Sequence, residues 1–154
     1  MDASVAPVRR GARDVVLLDG DAFSTIVRAA RREESIRALC ERLDPLKLFI
    51  ARPEDAFDPI KDANYFVVDV DALNHRLEKT LSSVVIVDVS PGSVPRVIPF
   101  DSAEHEHVSE QIALCKHALK QAAADTKGVS CLLPDGKLDS VFLGVLLGYP
   151  VVYL

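Results

Sequence analysis

Tryptophan is absent from this 154-residue chain, and there are only three tyrosines and six phenylalanines, so its core must be built mostly from aliphatic side chains. A disulfide or zinc framework is missing too. Cys40, Cys115 and Cys131 make an odd, widely spaced set with no Cys-x-x-Cys. Cys40 and Cys115 fall on apolar helical stripes and Cys131 in an apolar run, the ordinary setting of buried free thiols, and reduced thiols point to a cytoplasmic protein. No membrane-spanning run is present. The most apolar stretch, Ser140 to Leu154, is shorter than the roughly 20 residues a span needs, and Gly148 and Pro150 interrupt it. The N-terminus has no secretory apolar core, and residues 1–13 are expected to be a flexible lead-in to a single domain over 14–154. Basic excess is lacking as well: 18 Lys and Arg against 23 Asp and Glu give a net charge of −5, which argues against nucleic-acid binding. Catalytic elbows and phosphate loops are unwritten. There is no Gly-x-Ser-x-Gly and no Gly-x-Gly-x-x-Gly, and Cys131 stands where a P-loop ending at Gly136-Lys137 would need its first glycine.

What is there is the balance of a globular protein, 49% hydrophobic and 27% charged. Short apolar runs alternate with helical stripes. Val15 to Leu18 reads as a buried strand leading into Asp19-Gly20-Asp21, with Asp21 as a helix cap. Two helical stripes, Phe23 to Ala30 and Ile36 to Leu43, meet at a polar join near Ser35, where the helix bends or restarts. Leu46 to Ala51 is a second strand, Arg52 to Asp62 a proline-containing loop, and Tyr65 to Val70 a third strand. Asp71 is expected to cap a helix carrying Leu73, Leu77 and Leu81. Val84 to Val89 is a fourth strand, its unbroken Val-Val-Ile-Val implying burial on both faces. Arg96 to Phe100 reads as an edge strand. Asp101 or Ser102 then caps the clearest helix, with Val108, Ile112, Cys115, Leu119 and Ala122 on one stripe. Val129 to Leu133 is a strand, Pro134-Asp135-Gly136 a turn, and Leu138 to Leu146 the last helical stripe, stopped by Gly148 and Pro150 before a closing strand, Val151 to Leu154. This alternation predicts an α/β three-layer sandwich: a mostly parallel sheet with helices on both faces.

The carboxylates Asp19, Asp69 and Asp88 fall at or near the C-terminal ends of strands, with Asp21 and Asp71 two residues beyond the first two. In a parallel sheet these ends share one rim, where ligands of open sheets bind. Carboxylates gathered there would suit Mg²⁺, an oxygen-seeking cation that bridges to phosphate. Asp19, Asp21, Asp69 and Asp71 are the candidate metal ligands, and Asp19, Asp21 and Asp88 the candidate catalytic residues. Helix capping and turn formation explain the same aspartates without any metal. Glu104-His105-Glu106-His107 and His117 read as solvated helix surface rather than a zinc site, because the ligands do not converge.

Asp19-Gly20-Asp21 after an apolar strand resembles the first motif of haloacid-dehalogenase-like phosphatases, in which the first Asp would be the nucleophile and the second the acid/base. Phe23 stands where those enzymes place Thr or Val. The same triplet is similar to the opening of PIN/NYN-type nucleases. A broader resemblance runs through the tail Leu133-Pro134-Asp135, Val141-Phe142-Leu143-Gly144 and Leu147-Gly148-Tyr149-Pro150-Val151-Val152-Tyr153, and through Tyr65 to Val68 and Val85 to Ser90. Together these resemble the uncharacterised eukaryotic family named for chromosome 1 open reading frame 74, over about residues 60–154. That family brings no established activity. Two functions follow as expectations. One is a non-catalytic binding or adaptor module that meets a protein partner or a second copy through the apolar C-terminal segment. The other is a Mg²⁺-dependent phosphoesterase or nuclease at the acidic rim.

Overall fold

Alternate residues of the longer strands enter different cores, so strand order and direction decide where every loop side chain lies. The computed structural model describes residues 2–18, 38, 40, 41, 43–51, 64–80, 82–92, 94–124, 130–133 and 138–153. Most of the bent helix read from Phe23 to Leu43, the loop Arg52 to Asp62 and the turn Pro134-Asp135-Gly136 lie outside them. The described elements are α1 (Asp2–Arg9), β1 (Val15–Leu18), β2 (Lys47–Ala51), β3 (Asn64–Val68), α2 (Val70–Thr80), β4 (Val85–Asp88), β5 (Arg96–Val97), α3 (Ala103–Ala124), β6 (Ser130–Cys131), α4 (Ser140–Leu146) and β7 (Val151–Tyr153).

The strands form two small mixed sheets, ordered β1-β3-β2-β6 and β5-β4-β7. β3 runs antiparallel to both β1 and β2, and β5 antiparallel to β4. Among the described strands, only the β2–β6 and β4–β7 pairs are parallel. The expected three-layer sandwich with a mostly parallel sheet is therefore overturned. The physical reason is that β3 inserts between β1 and β2, and the chain then leaves through α2 for a different sheet. An apolar run carries no mark of strand direction, because burial on both faces looks the same in parallel and antiparallel surroundings.

In the four-stranded sheet, Val15, Phe49, Ala51, Phe66 and Val68 face the main core, which also takes in Leu73 and Leu77 of α2, the α3 stripe, the buried face of α4, and Ile86 and Val152 of the smaller sheet. Leu18, Leu48, Tyr65 and Val67 face a second core with Leu43 and Leu46. Residues 1–13, expected as a flexible lead-in, contain α1, and its Val5 and Val8 are buried in that second core. The α3 stripe from Val108 to Ala122 is buried as its spacing predicts.

Helix ends follow the capping chemistry with one correction. The cap of α2 is Asp69, whose Oδ1 accepts from Ala72 N at 3.0 Å, and not Asp71. Ser102 caps α3, its Oγ accepting from His105 N at 3.3 Å. Asp139 caps α4, its Oδ1 accepting from Phe142 N at 2.7 Å. After α4, Gly148 adopts φ +80°, and the turn brings β7 back against the helix.

That return leaves no room at Gly144. A Cβ there would lie 2.7 Å from Val152 Cγ1, and valine, stiff at χ1, cannot swing aside. Gly144→Ala is expected to destabilise the fold by about 2 kcal/mol. Paired with Val152→Ala, the loss should be smaller than the sum of the two single losses, read from urea unfolding curves of the four proteins of the cycle.

Candidate functional site

Of the candidate aspartates, Asp69, Asp71 and Asp88 lie among the described residues. Asp69 donates its N–H to the Asp14 carbonyl at 2.8 Å, at the end of the sheet where β1 begins. The chain leaves β1 at Leu18, opposite Tyr65, at the other end. Asp71 is exposed in the first turn of α2, where the helix dipole favours a carboxylate. Asp88 belongs to the other sheet. Its carboxylate accepts from Ser90 Oγ at 2.6 Å, from Ser90 N at 2.9 Å and from Arg96 Nε at 3.1 Å. The Ser90 hydrogen bonds foremost, and then Arg96, hold the Asp88 carboxyl below its ordinary 3.8. Asp19 and Asp21 lie outside the described residues. Among those described, no three His, Cys, Asp or Glu side chains are grouped to hold a metal ion. The common rim expected for these carboxylates needed parallel strands, and the antiparallel β1–β3 register removes that geometric basis.

The smaller sheet presents something the sequence reading placed inside. Val85 lies opposite Val151, and Val87 lies opposite both Tyr153 and Val97. These five share one face, because directly opposed residues point the same way and the strand period is two. Ile86 and Val152 point inward, and Ile98 donates its N–H to the Ile86 carbonyl at 2.9 Å on the buried side. The expected burial of β4 on both faces is thus corrected: one face is core and the other is open. Val89, Val94, Phe100 and Tyr149 are also exposed.

The histidines divide. His75, His107 and His117 are exposed, as expected of helix surface. His105 is buried, its ring centroid 4.8 Å from that of Phe100, and its Nδ1 has no hydrogen-bond partner. His107 Nε2 lies 2.8 Å from Asp139 Oδ2, joining the first turns of α3 and α4 across a cleft of about 410 Å³. Sequence reasoning missed this pair, since the 32 residues between its members carry no periodic signal. The one local clue is that His107 falls off the buried stripe.

A second long-range contact was also missed. Arg76 on α2 pairs through Nε with Asp14, and donates from its two terminal nitrogens to the carbonyls of Val145 at 2.9 Å and Leu146 at 2.5 Å. The Val145 carbonyl also accepts from Gly148 N at 3.0 Å, so the guanidinium adds a second donor there and supplies the Leu146 carbonyl at the end of α4. It also borders a cleft of about 440 Å³ with Arg13 and Tyr149, and each of its three nitrogens already donates one hydrogen bond within the fold. Arg76 also acts electrostatically on Cys115 of α3, where burial dominates and pushes the thiol up to about 12. No disulfide joins the three cysteines; Cys115 is buried, and Cys40 and Cys131 are half-buried. No helix among the described residues is long and apolar enough to cross a membrane.

No curated protein and no solved structure matches the chain. A family model does: it covers residues 1–154, including the N-terminal third that the resemblance from residue 60 onward left aside. The chain belongs to that family, a domain of unknown function designated DUF4504.

Proposed function

We propose that this chain is a cytoplasmic, non-catalytic binding module, and that the open face of the β5-β4-β7 sheet docks a second copy of the same chain. The observation that carries the reading is the apolar outward face itself. Val85 is 38% exposed, Val97 66%, Val151 36% and Tyr153 59%, side by side on three paired strands with no charged residue among them. Contiguous apolar surface of this kind marks interaction sites more often than isolated exposed residues do. The edge supports the choice of partner. Among the described strands β7 is an outer one, and its three residues, which follow Pro150, include no lysine or proline. A two-fold axis beside β7 would add strand to strand and continue the same face across both copies. The C-terminal segment divides accordingly: Val141, Phe142, Val145 and Leu146 fill the core, whereas Tyr149, Val151 and Tyr153 are turned to solvent. Three cysteines joined by no disulfide support the compartment, and the tail motif supports the finer kinship with the chromosome 1 open reading frame 74 family.

Sedimentation equilibrium over a hundredfold concentration range tests the docking. A reversible dimer is expected, weakened at least tenfold by Tyr153→Glu or Val97→Glu, with the circular dichroism spectrum unchanged. A monomer at every concentration, or dimerisation indifferent to both substitutions, rejects the reading.

A further inference from the structure

The turn before β1, helix α2 and the turn after α4 border a cleft of about 440 Å³, within the range of small-molecule sites. Its charge sets it apart from the clefts at the start of α3, whose lining carboxylates are Asp101 and Glu106 in one and Glu104 and Asp139 in the other. Here two arginines, Arg13 and Arg76, stand against a single carboxylate, Asp14. Arg76 is held in place, because its Nε pairs with Asp14 and its terminal nitrogens donate to the Val145 and Leu146 carbonyls. Each of those terminal nitrogens bears a second hydrogen that no described residue accepts. Gly148 leaves one side of the guanidinium uncovered. The three atoms closest to a Cβ at that position would be Arg76 Cζ and Nη1 at 3.7 Å and Nε at 3.9 Å. Arg13 is exposed, and no described residue pairs with its side chain. Tyr149, about half exposed, adds an aromatic wall.

We infer that this cleft binds a small organic phosphate, with a phosphomonoester head shared between Arg13 and Arg76 and an apolar body against Tyr149. Charge and geometry choose the head. Two arginines less one aspartate leave the lining net positive on a chain whose total is −5, so an anion is drawn to it and a cation is not. A phosphomonoester carries close to two negative charges at neutral pH, and its three terminal oxygens can accept from both arginines at once. A carboxylate brings one charge and two oxygens, which a single guanidinium fork uses up. The site is separate from the open sheet face: Val85, Val87, Val97, Val151 and Tyr153 do not line it.

Phenyl phosphate, hydrocinnamate and phenethylamine share a phenyl body and differ in the charge of the head. Isothermal titration at neutral pH and low salt is expected to rank them in that order, with the phosphate at least about tenfold tighter than the carboxylate and no binding of the amine. Arg13→Gln removes one charge and leaves the Arg76 contacts intact. It should weaken phenyl phosphate at least about tenfold while the urea midpoint stays unchanged. Amide NMR supplies an independent readout, with Gly148 and Tyr149 shifting when phenyl phosphate is added. No binding of phenyl phosphate, equal or tighter binding of hydrocinnamate or the amine, undiminished affinity in Arg13→Gln, or shifts that spare Gly148 and Tyr149 would each overturn the inference.

Discussion

Arg76→Met is expected to lower the unfolding free energy by about 3 kcal/mol, although methionine keeps most of the side chain's apolar length. The loss comes from what the guanidinium joins. It pairs with Asp14, in the turn before β1, and closes the carbonyls of Val145 and Leu146 at the end of α4. Removing it strands a largely buried carboxylate and the Leu146 carbonyl, and leaves the Val145 carbonyl with Gly148 N alone; a stranded partner costs more than the contact was worth. Arg76→Lys should recover only part of the loss, because an ammonium cannot reproduce the planar fork that reaches three acceptors. Urea unfolding of the three proteins checks both statements: the midpoint should fall for methionine and lie between the other two for lysine. Equal midpoints for Met and wild type would show that the clasp is energetically idle.

Phe142→Ala is expected to cost more, about 4 kcal/mol. Phe142 is fully buried on α4, within the main core that unites both sheets with three helices. Truncation there opens a cavity between elements fixed from two sides, by Gly144 against Val152 and by Arg76 on the helix end, so collapse around the void is restricted. A single domain commonly has only about 5–15 kcal/mol to lose, and a deletion of this size brings some of the molecules to the unfolded state at physiological temperature. Phe100→Ala is the control. Its ring is mostly exposed and lies beside that of His105, so less than about 1 kcal/mol is expected. Thermal melts of the two alanine variants should separate widely; similar shifts would mean that Phe142 does not anchor the core.

Sequence alone reached some of this architecture. The α3 stripe repeats at helical spacing for about four turns, so a single reading satisfied all five of its residues from Val108 to Ala122. The Gly148-Pro150 stop and the strand after it were legible because glycine admits the left-handed turn that ends a helix and proline blocks its continuation. Direction was not legible. Val15 to Leu18 and Tyr65 to Val68 look alike whichever way they run, and their antiparallel pairing separates ends that a parallel sheet would gather. The Val-Val-Ile-Val of β4 was misread for a related reason. Unbroken apolar sequence implies two covered faces, and here only the face of Ile86 is covered. The clasp from Arg76 to Asp14 and the approach of His107 to Asp139 span 62 and 32 residues, distances at which no local pattern connects two polar side chains. The Asp139 cap is local, but its second role, toward α3, is visible only once the helices are packed.

Both parallel pairings among the described strands involve the chain's C-terminal quarter: β6 completes one sheet beside β2, and β7 completes the other beside β4. On the ribosome, then, the first sheet cannot close until Cys131 has emerged, nor the second until Tyr153 has. Throughout that interval Ile86 and the buried face of α3 wait without their covering, a window in which chaperone engagement or misassociation competes with completion.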